Sequence, residues 1–160
     1  MNNEYPKANI TVDIIVFDRR NTKILLIKRK KNPFEGCWAI PGGFFNPEDH
    51  HNEKQDYSLK IAAIRELKEE TGIDATDPRI NSSLSFLAIQ DKPGRDPRGR
   101  TITIVYVLTL WDMTFVNVQA QDDAAEAKWF DLKELVEGNI PLAFDHQDEI
   151  FKFSRQATYN

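Results

Sequence analysis

Glu66, Glu69 and Glu70 crowd into Arg65-Glu66-Leu67-Lys68-Glu69-Glu70-Thr71-Gly72-Ile73, the end of a segment with helical spacing. Leu59, Ala63 and Leu67 recur every fourth position as one apolar stripe, Ser58 is placed to cap the start, and Gly72 to end the helix. The final carbonyls of a helix carry partial negative charge, so carboxylates there are disfavoured by roughly 0.3 kcal/mol or more each. Glu66 also faces both Glu69 and Glu70, and like charges at that spacing cost about 0.2–0.5 kcal/mol per pair. Arg65, four residues before Glu69, can serve one carboxylate, but one guanidinium does not neutralise three. The remainder reads as a seat for a hard divalent cation. Mg²⁺ suits it, because that ion takes oxygen ligands and bridges carboxylates to substrate phosphates.

A chain of 160 residues with 41% hydrophobic residues can bury one core and is too short for two ordinary domains, so residues 1–160 are expected to form a single domain. Net charge is −4 and the basic residues are scattered, which lacks the electrostatic footprint of a nucleic-acid binder. Cys37 is the only cysteine, so neither an intrachain disulfide nor a cysteine-based metal site can form. The first seven residues lack the pattern of a secretion signal, and no apolar run approaches membrane-spanning length. The expectation is a cytoplasmic protein with no membrane partner.

Strands are expected over Ile10 to Phe17 and Ile24 to Ile27, joined as a hairpin by Asp18-Arg19-Arg20-Asn21-Thr22. A short strand at Trp38-Ala39-Ile40 runs into Pro41-Gly42-Gly43, where the glycines permit close backbone approach. Residues 44–57 read as a long exposed loop. Two further strands, Leu84 to Gln90 and Thr101 to Leu110, flank the basic connector Lys92-Pro93-Gly94-Arg95-Asp96-Pro97-Arg98-Gly99-Arg100. Ala127 to Phe130 suggests a last strand, Asp131 to Val136 a short helix, and the chain from Asp145 a C-terminal helix.

Pro41-Gly42-Gly43 followed by the Arg65 to Ile73 run resembles the box of the Nudix hydrolase family, G-x5-E-x7-R-E-U-x-E-E-x-G-U with U bulky and apolar. Its second half matches at every specified position. The order of strands, Trp38 before the glycines, the Asp-Pro-Arg-Gly-Arg connector and the segment Asp122 to Phe130 extend the resemblance toward the ADP-ribose pyrophosphatase-like branch, over nearly the whole chain. One departure lies in the first half of the box. Gly43 and Arg65 are 22 positions apart where the pattern places them 14 apart, so the loop at 44–57 is enlarged. Counting forward puts Asp49 at the first glutamate and counting back puts Tyr57 there; Asp49, Asp56 and Glu48 are the candidates for its orienting role.

The resemblance implies an α/β/α sandwich around a mixed β-sheet, with Mg²⁺, or Mn²⁺ in its place, and a nucleoside diphosphate derivative as small-molecule substrate. Relatives often form homodimers. Carried over by position, Glu66, Glu69, Glu70 and the carbonyl of Gly42 are metal ligands, and Arg65 orients Glu69. Glu126, then Asp122 and Asp123, are candidates for the general base, with an acidic surface turn as the bland alternative. Arg95, Arg98 and Arg100 on the connector and Arg29 at the end of the second strand are candidates for substrate oxygens, or simply solvated arginines. Phe44 and Trp38 could stack on a base, while Phe17 and Phe86 read as core. His50 and His51 read as solvated loop residues, and His146 is given no catalytic part. The leading function is hydrolysis of ADP-ribose to AMP and ribose 5-phosphate. The alternatives are a nucleoside triphosphate pyrophosphohydrolase, oxidised nucleotides included, and a non-catalytic ADP-ribose-sensing regulator, against which the complete set of glutamates speaks.

Overall fold

Residues 12–17 are buried on both faces, as expected of a strand at the centre of a sheet covered on both sides. In the computed structural model, which describes residues 5–20, 22–47, 55–112, 118–120, 124–138 and 140–157, this run is strand β1, Asn9–Asp18. Glu48, Asp49, His50 and His51, together with Asp122 and Asp123, lie outside the described residues.

β2 (Lys23–Arg29) returns as the hairpin partner but keeps only two pairs with β1, Val16↔Leu25 and Phe17↔Ile24, before the strands part. β3 (Trp38–Ala39) pairs with β2, and β4 (Gly42–Phe44) pairs with β1. The glycine segment thus fills the mouth of an opened hairpin. On its other side β1 runs parallel to β6 (Thr101–Leu110) in unbroken register from Asn9↔Thr101 to Asp18↔Leu110. β5 (Ser85–Gln90) pairs antiparallel with β6, and β7 (Ala124–Asp131) antiparallel with β2. Among the described residues the result is one mixed seven-stranded sheet.

Helices cover both faces. α1 (Leu59–Thr71) buries Ala62, Ala63 and Leu67 in a cluster with Val12, Ile14, Val16 and Leu108, joined by Ile80 of the short α2 (Pro78–Asn81). On the opposite face α3 (Leu132–Val136) and α4 (His146–Ala157) bring Leu135, Ile150 and Phe153 against Ile15, Phe17, Leu26 and Phe130. The α/β/α sandwich with a mixed sheet is therefore the fold. One expectation fails: Phe86 is not core but 59% exposed, because β5 is an edge strand whose register shift lets Leu87 and Ala88 pack inward and leaves Phe86 outside. Among the described residues no helix is long and apolar enough to cross a membrane.

Candidate active site

The site begins with what two glycines allow. Ile14 N–H donates to the Pro41 carbonyl at 2.9 Å and Phe45 N–H to the Ile10 carbonyl at 3.0 Å. Bonded pairs therefore alternate along the β1–β4 ladder, and Gly42, opposite Asp13, falls between them with its own N–H and carbonyl turned away from β1. That N–H donates to Glu70 Oε2 at 2.8 Å. A Cβ on Gly42 would collide with the Val12 carbonyl and the Asp13 carboxylate, and one on Gly43 would stand 2.5 Å from the Glu66 carboxyl carbon. β4 and the end of α1 are packed too closely there for side chains.

α1 delivers the carboxylates as a unit. Ser58 accepts the Ile61 N–H at 3.2 Å, and Gly72 closes the helix in the left-handed region with φ 76, its N–H bonded to the Lys68 carbonyl. Arg65 is the hub. Its Nε and Nη2 donate to Asp56 Oδ1 and Oδ2 at 2.9 and 2.7 Å, Nη1 donates to Glu66 at 2.7 Å and to Glu69 at 3.2 Å, and Nη2 also reaches the Phe44 carbonyl at 3.0 Å. The bidentate partner is Asp56, 2% exposed, while Glu69 holds the longest of these bonds. Arg65 therefore bridges three carboxylates instead of serving Glu69 alone.

Asp56 also closes the enlarged loop. Its N–H donates to the Asn46 carbonyl at 2.8 Å, and its Oδ2 accepts the Asn46 N–H at 2.9 Å. These two bonds tie Asp56 to Asn46 across the inserted stretch and so bring it beside Arg65.

Electrostatically, one guanidinium is outnumbered by the carboxylates around it. Burial pushes the Glu70 carboxyl well above the usual range, opposed by the Gly42 N–H and reinforced by Glu66 and Asp13. Burial also raises Glu66, with Arg65 opposing and Glu69 and Asp56 adding to it. Among the described residues no group of three or more histidine, cysteine or acidic side chains is placed to hold a metal ion as it stands. The donor set nevertheless suits a hard divalent cation. It offers only oxygens, two of its carboxyls are destabilised by burial and mutual repulsion, and a cation would relieve both.

These carboxylates form one wall of a cleft of about 590 Å³. Glu66, Glu69 and Glu70 line it with Gly42, Gly43 and Arg65, while Arg29, Lys30, Lys31 and Arg98 supply positive charge to the same cleft. A larger hollow of about 1000 Å³, beyond the end of α1 around Asp77 and Trp111, contains none of these glutamates. Arg98 pairs with Asp96 at 2.7 Å and lies 4.7 Å from the Phe44 ring centre and 5.3 Å from that of Phe144. Arg29 donates from Nε to the Pro33 carbonyl at 2.8 Å and lies 5.1 Å from the Phe144 ring. Phe34 and Phe144, both at positive φ (62 and 54), meet edge to face at 4.8 Å.

Of the three other candidates, Arg95 lines a smaller pocket beside the cleft, with Gly42, Glu70 and Arg98, while Arg100 and Glu126 line neither. The Arg95 guanidinium is 5% exposed and bound to Asp145 at 2.8 Å, to Glu149 at 2.5 Å and to the Thr103 hydroxyl, so it is an internal ion-pair partner. Arg100 is exposed, donates to the Asp91 carbonyl, and lines neither the acidic cleft nor the smaller pocket beside it. Glu126 lies in strand β7 opposite Lys28, two residues from Lys128, whose ammonium stands over Phe130. Side chains two apart share a face, so Glu126 points with Phe130 to the α3–α4 side, away from α1. Residues overlooked in the sequence are Lys30 and Lys31, in a basic run directly after β2; Phe144 lines the smaller pocket beside the cleft.

Fold and site together set an acidic helix end against basic side chains within an α/β/α sandwich. The chain belongs to the Nudix hydrolase family: the NUDIX domain matches residues 7–154. It is 42% identical over 152 residues to the ADP-ribose pyrophosphatase of Methanocaldococcus jannaschii, covering 94% of this chain and 76% of that protein. It is 35% identical to the ADPR responsive transcriptional repressor NtrR of Acinetobacter baylyi, over 91% of this chain and 52% of the repressor. A bifunctional NMN adenylyltransferase/ADP ribose pyrophosphatase from Francisella tularensis, solved with AMP and a manganese ion, superposes with a TM-score of 0.79 at 29% identity, covering 95% of this chain and 42% of that one.

Proposed function

We propose that this protein hydrolyses the pyrophosphate of ADP-ribose, giving AMP and ribose 5-phosphate, with a divalent cation, Mg²⁺ or Mn²⁺, held by Glu66, Glu69, Glu70 and the Gly42 carbonyl. The observation that carries the reading is the two-signed cleft, with three glutamates and five basic residues lining one space of about 590 Å³. A diphosphate needs both signs: basic side chains for its own oxygens, and carboxylates for the cation that screens them. The named relatives support the substrate, one being called an ADP-ribose pyrophosphatase and another having been solved with AMP and manganese.

When bound, the cation screens phosphate oxygens and lowers the pKa of a water. The remaining work falls to the chain. Arg65 and Asp56 hold Glu66 and Glu69 at the cleft wall, and the Gly42 N–H fixes one oxygen of Glu70. Arg29 and Arg98 orient the diphosphate, and Phe44 offers a half-exposed ring to the base. The water oxygen bonds to phosphorus as the bridging P–O bond breaks, and the water proton passes to a carboxylate. Glu69, the most exposed of the cluster's partners of Arg65, is assigned that proton.

The relative named as a repressor supports a second reading, binding of ADP-ribose without turnover. The complete set of glutamates favours catalysis. Initial rates on ADP-ribose and on a panel of nucleoside triphosphates, each with Mg²⁺, test the assignment. AMP release from ADP-ribose is expected to exceed pyrophosphate release from every triphosphate; faster triphosphate cleavage would reassign the substrate, and binding without turnover would favour the second reading.

A further inference from the structure

His146 opens α4 on the face of the sheet opposite α1, yet it is built into the backbone of the glycine segment. It is 4% exposed. Its Nδ1 accepts the Ile40 N–H at 3.0 Å, two residues before Gly42, and its Nε2 lies 3.5 Å from Asp13 Oδ2, on the residue paired with Gly42 across the ladder. The Asp13 carboxylate in turn stands so close to Gly42 that no Cβ would fit between them. One ring therefore touches the chain just before Gly42 and the residue opposite it.

The ring is itself firmly held. Asp145 and Glu149, one residue before it and three after it, bind Arg95, and Phe144 packs at 5.3 Å between ring centres. Arg95 reaches β1 through the Thr103 hydroxyl of β6, which bonds Thr11 at 2.7 Å. These contacts continue through Gly42 N–H to Glu70 Oε2.

We propose that His146 is a positioning residue. By accepting the Ile40 N–H, it sets the height of the Gly42 segment and so the place of the Glu70 carboxylate in the cleft. A neutral ring with its proton on Nε2 satisfies both contacts, since Nδ1 must keep its lone pair for Ile40. The 3.0 Å bond to Ile40 is the stronger tie and the 3.5 Å approach to Asp13 the weaker. The consequence for turnover rests on the hydrolase reading above; the effect on Gly42 does not.

Two substitutions separate the contacts. His146→Asn places an amide oxygen near the Nδ1 position and can still accept from Ile40, whereas His146→Gln extends an amide nitrogen toward Asp13 and gives up Ile40. The full chain of each variant is assayed on ADP-ribose with Mg²⁺ below its unfolding temperature, and the Ile40 and Gly42 amide resonances are recorded without metal. His146→Asn is expected to keep kcat within about threefold, while His146→Gln lowers kcat by about tenfold to a hundredfold with KM within about twofold. In His146→Gln the Gly42 resonance should move together with that of Ile40. A folded His146→Gln variant with normal kcat, or a Gly42 amide that stays in place while that of Ile40 moves, would overturn the proposal. If the unmodified protein does not cleave ADP-ribose, the hydrolase reading fails, and the Gly42 amide still decides the positioning role.

Discussion

Asp56 grips Arg65 through both carboxylate oxygens, at 2.9 and 2.7 Å, from the closing residue of an enlarged loop nine positions before it. The pair is nearly dry, with side-chain exposures of 1% and 14%. Removing one partner of such a pair leaves the other buried and uncompensated, at a cost of about 3–5 kcal/mol. Asp56→Ala is therefore expected to lower the denaturation midpoint severely, and Asp56→Asn, which keeps one acceptor, less so. Equal stability of Asp56→Ala and the unmodified protein in urea titration would remove Asp56 from this role.

The two glycines should fail differently. Gly42→Ala meets backbone at Val12 and should compromise folding, whereas Gly43→Ala meets the movable end of Glu66. Gly43→Ala is expected to keep a near-normal melting temperature and to lose kcat by about tenfold or more, because Glu66 must leave its position. Circular dichroism melts beside kinetics separate the outcomes; a fully active Gly43→Ala would show that the place of Glu66 is unimportant.

The raised Glu70 carboxyl has a consequence for stability without metal. A carboxyl whose pKa is higher folded than unfolded binds its proton more tightly when folded, so stability falls as pH rises through the ordinary glutamate range toward the raised value. In EDTA at pH 7 to 8, Glu70→Gln, which keeps an acceptor for the Gly42 N–H, should melt higher than the unmodified protein. The difference should vanish near pH 4. The same variant should lose about a hundredfold in kcat with Mg²⁺. Lower stability of Glu70→Gln at pH 8 would contradict the electrostatic account.

The connector arginines make a three-way comparison. Arg98→Ala, which removes the guanidinium beside Phe44 and Phe144, should raise KM for ADP-ribose by about tenfold with little change in kcat. Arg100→Ala should change neither. Arg95→Ala should act chiefly on stability, because it strips Asp145 and Glu149 of their buried partner, and burial with the nearby Asp13 already raises the Glu149 carboxyl. Steady-state kinetics with melting curves on all three would expose any exchange of these roles.

Those arginines also mark where sequence reasoning stops. The strands over Asn9–Asp18 and Thr101–Leu110 and the capped helix Leu59–Thr71 were legible because periodicity and caps are local. β4 was not, because its two glycines are poor strand formers and the segment is extended by its pairing with β1. Asp56 was one of three acidic candidates, and a closed loop neck involving Asn46, not spacing, brings it to Arg65. Arg95 and Arg98 look alike in the chain; α4, fifty residues later, buries one of them. Glu126 lies on the far face because strand alternation, invisible until the pairing register is known, turns it there.

The central claim is most directly tested by product analysis of ADP-ribose incubated with the purified chain, once with Mg²⁺ and once with EDTA. The account expects AMP and ribose 5-phosphate in equal amounts with Mg²⁺ and no cleavage with EDTA. Cleavage that persists in EDTA, or ADP-ribose left intact in the presence of Mg²⁺, would contradict it.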